Sequence, residues 1–211
     1  MKDRAGWART VVERLRKEYP DAECALDHVD PFQLAVATIL SAQCTDAMVN
    51  RVTPELFAAY PTPQALAEAD PAEVERIVHR TGFFRNKTKS IMGLARALVD
   101  RHRCAVPETM DELLDLPGVA RKTANVILGV AFGKAEGVVV DTHVHRLSRR
   151  LGLTRRDDPK TIERDLMRLV PREDWIFLGH GLIWHGRRVC AARKPACGRC
   201  ALADRCPSSE A

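Results

Sequence analysis

The residues best placed to do chemistry begin with Lys122, in the stretch Leu116-Pro117-Gly118-Val119-Ala120-Arg121-Lys122-Thr123-Ala124. A Pro-Gly turn there leads into an apolar helix. Lys122 would sit at the positive end of that helix's dipole, with Arg121 beside it. Both effects disfavour an ammonium and favour a neutral, nucleophilic amine. Asp141 follows nineteen residues later, directly after Val138-Val139-Val140. A carboxylate that can take the amine's proton completes an amine-nucleophile site. The plainer roles for the same pair are a surface lysine and a helix-capping aspartate.

Cysteines supply the second chemistry. Cys190, Cys197, Cys200 and Cys206 follow the pattern C-x6-C-x2-C-x5-C. Four thiolates so close in sequence can surround one metal centre, and in a reducing compartment metal ligation precedes disulfides. Zinc ribbons usually carry two C-x2-C knuckles, and only one is present here. The best-known ferredoxin spacings differ as well. Ligand chemistry therefore implies a metal and leaves zinc against iron–sulfur open. Cys24, Cys44 and Cys104 stand apart and read as small core residues.

The elements that must position these groups are helices. Apolar residues recur at helical spacing around Trp7, Val11 and Leu15, and again at Ile91, Leu94, Ala95, Leu98 and Val99. Ile162, Leu166, Leu169 and Val170 mark another helix. Trp175, Leu178, Leu182 and Ile183 mark a late one, with Asp174 as its N-cap. Pro31, Pro54, Pro71 and Pro159 stand where helices start. The stretch from Ala120 to Phe132 is apolar nearly all round, so its helix is buried and its polar start must emerge at a surface. Met110, Leu113 and Leu114 form a short helix before it. Two helices joined by so tight a turn leave the N–H groups of Gly118, Ala120 and Arg121 free to bind a phosphate without reading its base. An ordinary helix corner is the plainer alternative. Val138 to Val140 is too short to found a sheet.

The 211 residues allow one large domain or two small ones, with 33 basic against 28 acidic residues and a net charge of +5. That leans toward polyanionic partners. Residues 85–103 hold Arg85, Lys87, Lys89, Arg96, Arg101 and Arg103 against Asp100 alone. Residues 186–206 hold Arg187, Arg188, Arg193, Lys194, Arg199 and Arg205 against Asp204. No apolar run is long enough for a membrane helix, and the N-terminus lacks a signal core. A cytoplasmic protein with no membrane partner is expected.

Taken together, Leu40-Ser41-Ala42-Gln43, the Leu116–Asn125 stretch, Val140-Asp141-Thr142-His143 and the cysteine spacing resemble the endonuclease III family of DNA glycosylases, in the helix-hairpin-helix superfamily. The resemblance spans nearly the whole chain. It implies an all-α fold with a continuous helical barrel domain over 24–134. A second domain, 1–23 plus 135–211, would hold a [4Fe–4S] cluster on Cys190, Cys197, Cys200 and Cys206. Duplex DNA would lie across the cleft between the domains, with Lys122 and Asp141 at its mouth. The implied activity is removal of oxidised pyrimidines from flipped-out nucleotides. Lys122 would attack C1′, and Asp141 would accept a proton or steady positive charge on the sugar. The Schiff base would then permit β-elimination at the resulting abasic site. Gln43 and Phe83 match positions that fill the gap left by the flipped nucleotide, and an aromatic Phe83 can stack on neighbouring bases. Arg193 and Lys194, in the loop between the first two cysteines, would face phosphates. The implied protein is a bacterial, nucleoid-associated monomer.

One departure stands out, because the family's hairpin commonly reads Gly-Val-Gly and this one reads Gly118-Val119-Ala120. Alanine loses little at negative φ and resists a positive one. Adenine mismatch glycosylases share the cluster but usually carry serine at the position of Lys122 and an extra C-terminal domain. A non-catalytic DNA-binding module with a structural metal would have no need of a buried amine beside a carboxylate.

Overall fold

The protein is described by a computed structural model covering residues 3–210. Eleven α-helices run along these residues, and no strand forms among them. The chain divides into two compact units, Ala25–Lys134 and Met1–Cys24 with Ala135–Ala211. Among the described residues, no helix is long and apolar enough to cross a membrane.

The contiguous unit contains α2 (Pro31–Leu40), α3 (Asp46–Ala59), α4 (Pro63–Ala67), α5 (Pro71–Val78), α6 (Phe84–His102), α7 (Met110–Leu114) and α8 (Arg121–Phe132). Local signals start most of them. Asp30, Thr45, Thr62, Asp70 and Thr109 each accept a hydrogen bond from a first-turn amide. Pro31, Pro63 and Pro71 occupy first helical positions, where a missing N–H costs nothing. Pro54 does not start a helix, contrary to expectation, but lies inside α3. Thr45 has already begun that helix, and Val49, Val52, Thr53 and Leu56 bury one face of it. That burial, about 1.5–3 kcal/mol for each large apolar side chain, offsets the ~3 kcal/mol penalty of an interior proline. Within the unit α8 packs on α2 and α7, while α6 packs on α4 and α5. Ala124, Asn125, Val126, Ile127 and Leu128 of α8 are all buried.

The other unit joins α1 (Arg4–Glu18) to α9 (Thr142–Arg150), α10 (Pro159–Leu169) and α11 (Trp175–Arg188). Trp7, Val11 and Leu15 form a core with Leu147, Leu166, Leu178 and Leu182. Trp7 Nε1 donates to the Leu151 carbonyl at 2.8 Å, which satisfies the one polar atom of a fully buried indole. Val138 enters this core without forming a strand. Asp174 holds the N-cap position of α11 but does not cap it with its side chain. Its carboxylate accepts from Arg16 Nη2 at 2.7 Å instead. After α11 the chain contains only two short 3-10 turns, Cys197–Arg199 and Ala203–Arg205.

Candidate functional site

The hairpin between α7 and α8 is built as the sequence requires. Leu116 and Val119 are buried and pin its two ends, and the Val119 amide closes the turn on the Leu116 carbonyl at 3.2 Å. Gly118 has φ +78°. A Cβ there would also meet Ser90 Cβ at 2.7 Å, so only glycine fits. Ala120 has φ −97° and ψ 169°, extended backbone that alanine adopts without strain. The departure from glycine at this position therefore does not disturb the turn. Ala120 also has no side-chain oxygen to cap α8. Within this unit only α6 and α8 lack a side-chain cap. Uncapped first-turn amides carry partial positive charge and suit an anionic oxygen.

Arg121 is half-buried, and Lys122, the second residue of α8, is exposed. The polar start of α8 thus emerges at the surface as its sequence requires, and Lys122 is not a buried amine. The apolar faces of α8 begin at Ala124, and the first turn lies outside the packed stretch.

Gln43 and Phe83 share an unusual backbone. Gln43 has φ 52° and Phe83 φ 48°, a left-handed conformation that side-chain-bearing residues rarely adopt. Lys194 is a third example, at φ 51°. Such strain, about 1–3 kcal/mol per residue, persists where the surroundings enforce it and clusters at functional sites. Phe83 is 64% exposed, so it is not a core contact between helices. Lys87 helps to fix its loop. Although it belongs to the basic 85–103 run, Lys87 is only 5% exposed, which takes its charge out of that surface run. Its Nζ donates to the Thr81 carbonyl at 2.6 Å, immediately before Gly82 and Phe83. Burial lowers its pKa, and Cys44, next to Gln43, acts on it in the opposite direction. A buried ammonium thus lies at the base of the Phe83 loop and within electrostatic reach of the Gln43 loop. The sequence offered no cue to it beyond one lysine among several.

Asp141, in the other unit, caps α9. Its Oδ1 accepts from the Val144 amide at 2.8 Å. The plainer role is therefore filled, with one carboxylate oxygen occupied by the helix.

The cysteine loop completes the candidate site. Cys190, Cys197, Cys200 and Cys206 line a single cavity with Leu147, Leu151 and other residues. Arg150 Nη1 donates to Cys190 Sγ at 3.4 Å, and the Leu202 amide donates to Cys200 Sγ at 3.4 Å. His185 Nε2 lies 3.3 Å from Cys200 Sγ, and burial pushes this histidine down to about 4. Burial pushes the Cys200 and Cys206 thiols up, and the neighbouring sulfurs push further. Four sulfurs repelling one another's charge are a donor set that a soft cationic centre would satisfy. Among the described residues, no three His, Cys, Asp or Glu side chains converge closely enough to hold a single metal ion. Arg150 also donates to the Ala191 and Ala192 carbonyls, at 2.7 and 2.9 Å, and so holds the loop that exposes Arg193 and Lys194. Arg146 does the same at the Gly186 and Cys190 carbonyls. These two arginines, one helical turn apart on α9, were missed in the sequence, although their i,i+4 spacing puts them on one face. Of the remaining cysteines, Cys24 and Cys44 are half-buried and Cys104 is exposed, so the expectation of three core thiols is not met. Cys104 falls just past the α6 C-cap with φ 64°, outside the packed face.

Comparison with known proteins agrees with this architecture. Residues 36–172 match the family described as HhH-GPD superfamily base excision DNA repair protein. Endonuclease III of Synechocystis sp. is 60% identical over 204 residues, 97% of this chain and 93% of that protein. A non-covalent endonuclease III–DNA complex superposes with a TM-score of 0.92 at 42% identity, covering 97% of this chain and 95% of that one. A trapped endonuclease III–DNA covalent intermediate gives the same TM-score, 0.92, at 43% identity over 97% of this chain and 96% of that one. With an all-helical fold, a tight hairpin feeding an exposed lysine and a four-cysteine loop, this chain belongs to the endonuclease III family of the HhH-GPD superfamily.

Proposed function

We infer that the protein is a base-excision DNA glycosylase with abasic-site lyase activity, acting on oxidised pyrimidines in duplex DNA. The observation that carries this reading is Lys122, an exposed amine on the first turn of an uncapped helix, in a family with a member trapped covalently on DNA. A flipped nucleotide presents C1′ to that amine. The lysine nitrogen forms a bond to C1′ as the glycosidic bond breaks, and the base departs with the bonding electron pair. Opening of the sugar ring gives a Schiff base. Loss of a C2′ proton then expels the 3′ phosphate and cuts the strand. The Gly118 and Ala120 amides of the hairpin hold the phosphodiester near the lesion, while Phe83 and Gln43 enter the gap left in the stack. Oxidised and ring-saturated pyrimidines have lost planarity and stacking, so extracting them costs less.

The four cysteine thiolates would hold a [4Fe–4S] cluster. Four cysteines lining one cavity supply the thiolate set that such a cluster takes. Bound there, it fixes the Arg193–Lys194 loop; no step of the base-excision chemistry passes through it.

Asp141 has a role beyond its cap in this reading: it accepts a proton from the amine or steadies positive charge on the sugar. Asparagine caps helices about as well as aspartate, so Asp141→Asn should change stability by less than ~1 kcal/mol. Base excision should nevertheless fall at least about tenfold, or ~1.4 kcal/mol of barrier. Single-turnover excision beside a denaturant curve checks both halves. Full activity would leave Asp141 with its structural role alone.

Substrate class is tested by single-turnover cleavage of duplexes that each carry one defined lesion. Thymine glycol and dihydrouracil should be excised and the strand cut. Adenine opposite oxidised guanine should react slowest, because the enzymes that process it usually have serine where Lys122 stands. If that mismatch reacted fastest, the assignment within the superfamily would be wrong.

A further inference from the structure

Residues 142–156 carry five arginines and no carboxylate. They form α9 and the turn after it, and Arg4 of α1 joins them in the folded unit. A surface hollow of about 750 Å³ is bordered by Arg4, Arg149, Arg155 and Arg156 together with Thr154 and Asp165. A second hollow shares Arg149, Thr154 and Arg155 with the first and continues to Arg146 and Arg150. The acids nearby are already engaged. Asp165 accepts from the Thr154 hydroxyl at 2.6 Å, and Asp157 pairs with Arg149 and with His145. Arg146 and Arg150 direct most of their donors to backbone carbonyls, and Arg150 also donates to Cys190 Sγ. Arg4, Arg155 and Arg156 are exposed and make no ion pair among the described residues.

Six guanidinium groups thus surround two adjoining hollows against two carboxylates. No Phe, Tyr or Trp lines either hollow, and the one imidazole, His145 in the second, is paired with Asp157, so the lining favours phosphate over a stacked base. Guanidinium forks match phosphate oxygens, and uncompensated ones attract them without regard to sequence. We propose that this arginine-lined surface is a phosphate-binding site, and that it takes the phosphodiester backbone of duplex DNA. It lies on the cysteine-bearing unit and is additional to the hairpin and to the Arg193–Lys194 loop. It requires neither a lesion nor chemistry at Lys122, so it can fail or stand independently of the glycosylase reading.

The test uses the whole protein and a short undamaged duplex, with binding measured across a range of salt concentrations. Each phosphate contact contributes about 0.9 to the slope of log K against log salt. The double variant Arg155→Gln/Arg156→Gln should lower the slope by about 0.9 to 1.8. Arg155→Lys/Arg156→Lys keeps the charge and should retain the slope, which separates lost charge from lost structure. Calorimetric titration with sodium tripolyphosphate forms a second arm. If the slope holds but tripolyphosphate binds the wild type and the lysine pair and not the glutamine pair, the site takes free polyphosphate and the duplex assignment is overturned. If neither the slope nor tripolyphosphate binding responds to the glutamine pair, the arginines are a solvated face and the whole proposal falls.

Discussion

Lys122→Gln should abolish strand cleavage at an abasic site, lowering the single-turnover rate by at least about a thousandfold, or ~4 kcal/mol. An amide nitrogen has no nucleophilic lone pair, so neither bond formation to C1′ nor the Schiff base can occur. Binding of lesion-bearing duplex should survive. The phosphate contacts assigned to the hairpin come from backbone amides and from Gly118, which the substitution leaves in place. Folding should survive as well, because Lys122 is exposed and glutamine has a similar helix propensity. Cleavage and binding rates measured on one preparation separate these effects. Wild-type cleavage by the variant would move the nucleophile elsewhere.

The second large effect is expected at Cys200→Ser. Residues 189–210 contain two short 3-10 turns, and Leu202 is the one apolar side chain there that is fully buried. So little core cannot hold a loop of this length, and metal-centre binding must supply the folding energy. For structural zinc sites that energy is of the order of 10 kcal/mol, which sets the scale. Cys200 is the most embedded of the four in hydrogen bonding, with the Leu202 amide and His185 both at its sulfur. Its loss should lower bound iron and sulfide together and let trypsin cut after Arg193 and Arg199. Iron and sulfide assays beside limited proteolysis read this directly. Wild-type protein that contains one zinc and no iron would contradict the cluster assignment.

How far the sequence could go depended on the kind of signal. The apolar run of α8 and the glycine demanded by the hairpin were both legible, because burial and a positive φ leave composition no choice. Pro54 misled for the opposite reason, because it matches a local start signal that Thr45 overrides. Asp174 did mark the start of α11, but its carboxylate turns to Arg16 and leaves the first-turn amides without a side-chain cap. α4 is too short to show a period. Lys87 could not be read at all, since nothing in a run of basic residues tells which one turns inward to the Thr81 carbonyl. The left-handed backbone at Gln43 and Phe83 could not be read either, since neither residue type favours it. Lys122, Asp141 and the four cysteines could be singled out because chemistry restricts which residue types suit such work. The arginines that hold the cysteine loop were missed because any surface helix can carry such residues.

The account rests most heavily on a covalent bond between Lys122 and a sugar carbon. Borohydride added during reaction of the wild-type protein with a thymine-glycol duplex reduces the Schiff base to a stable amine. Digestion and mass spectrometry then locate the modified residue. The expected result is a single nucleotide adduct on the peptide that contains Lys122. Efficient base release with no adduct, or an adduct on any other lysine, would contradict it.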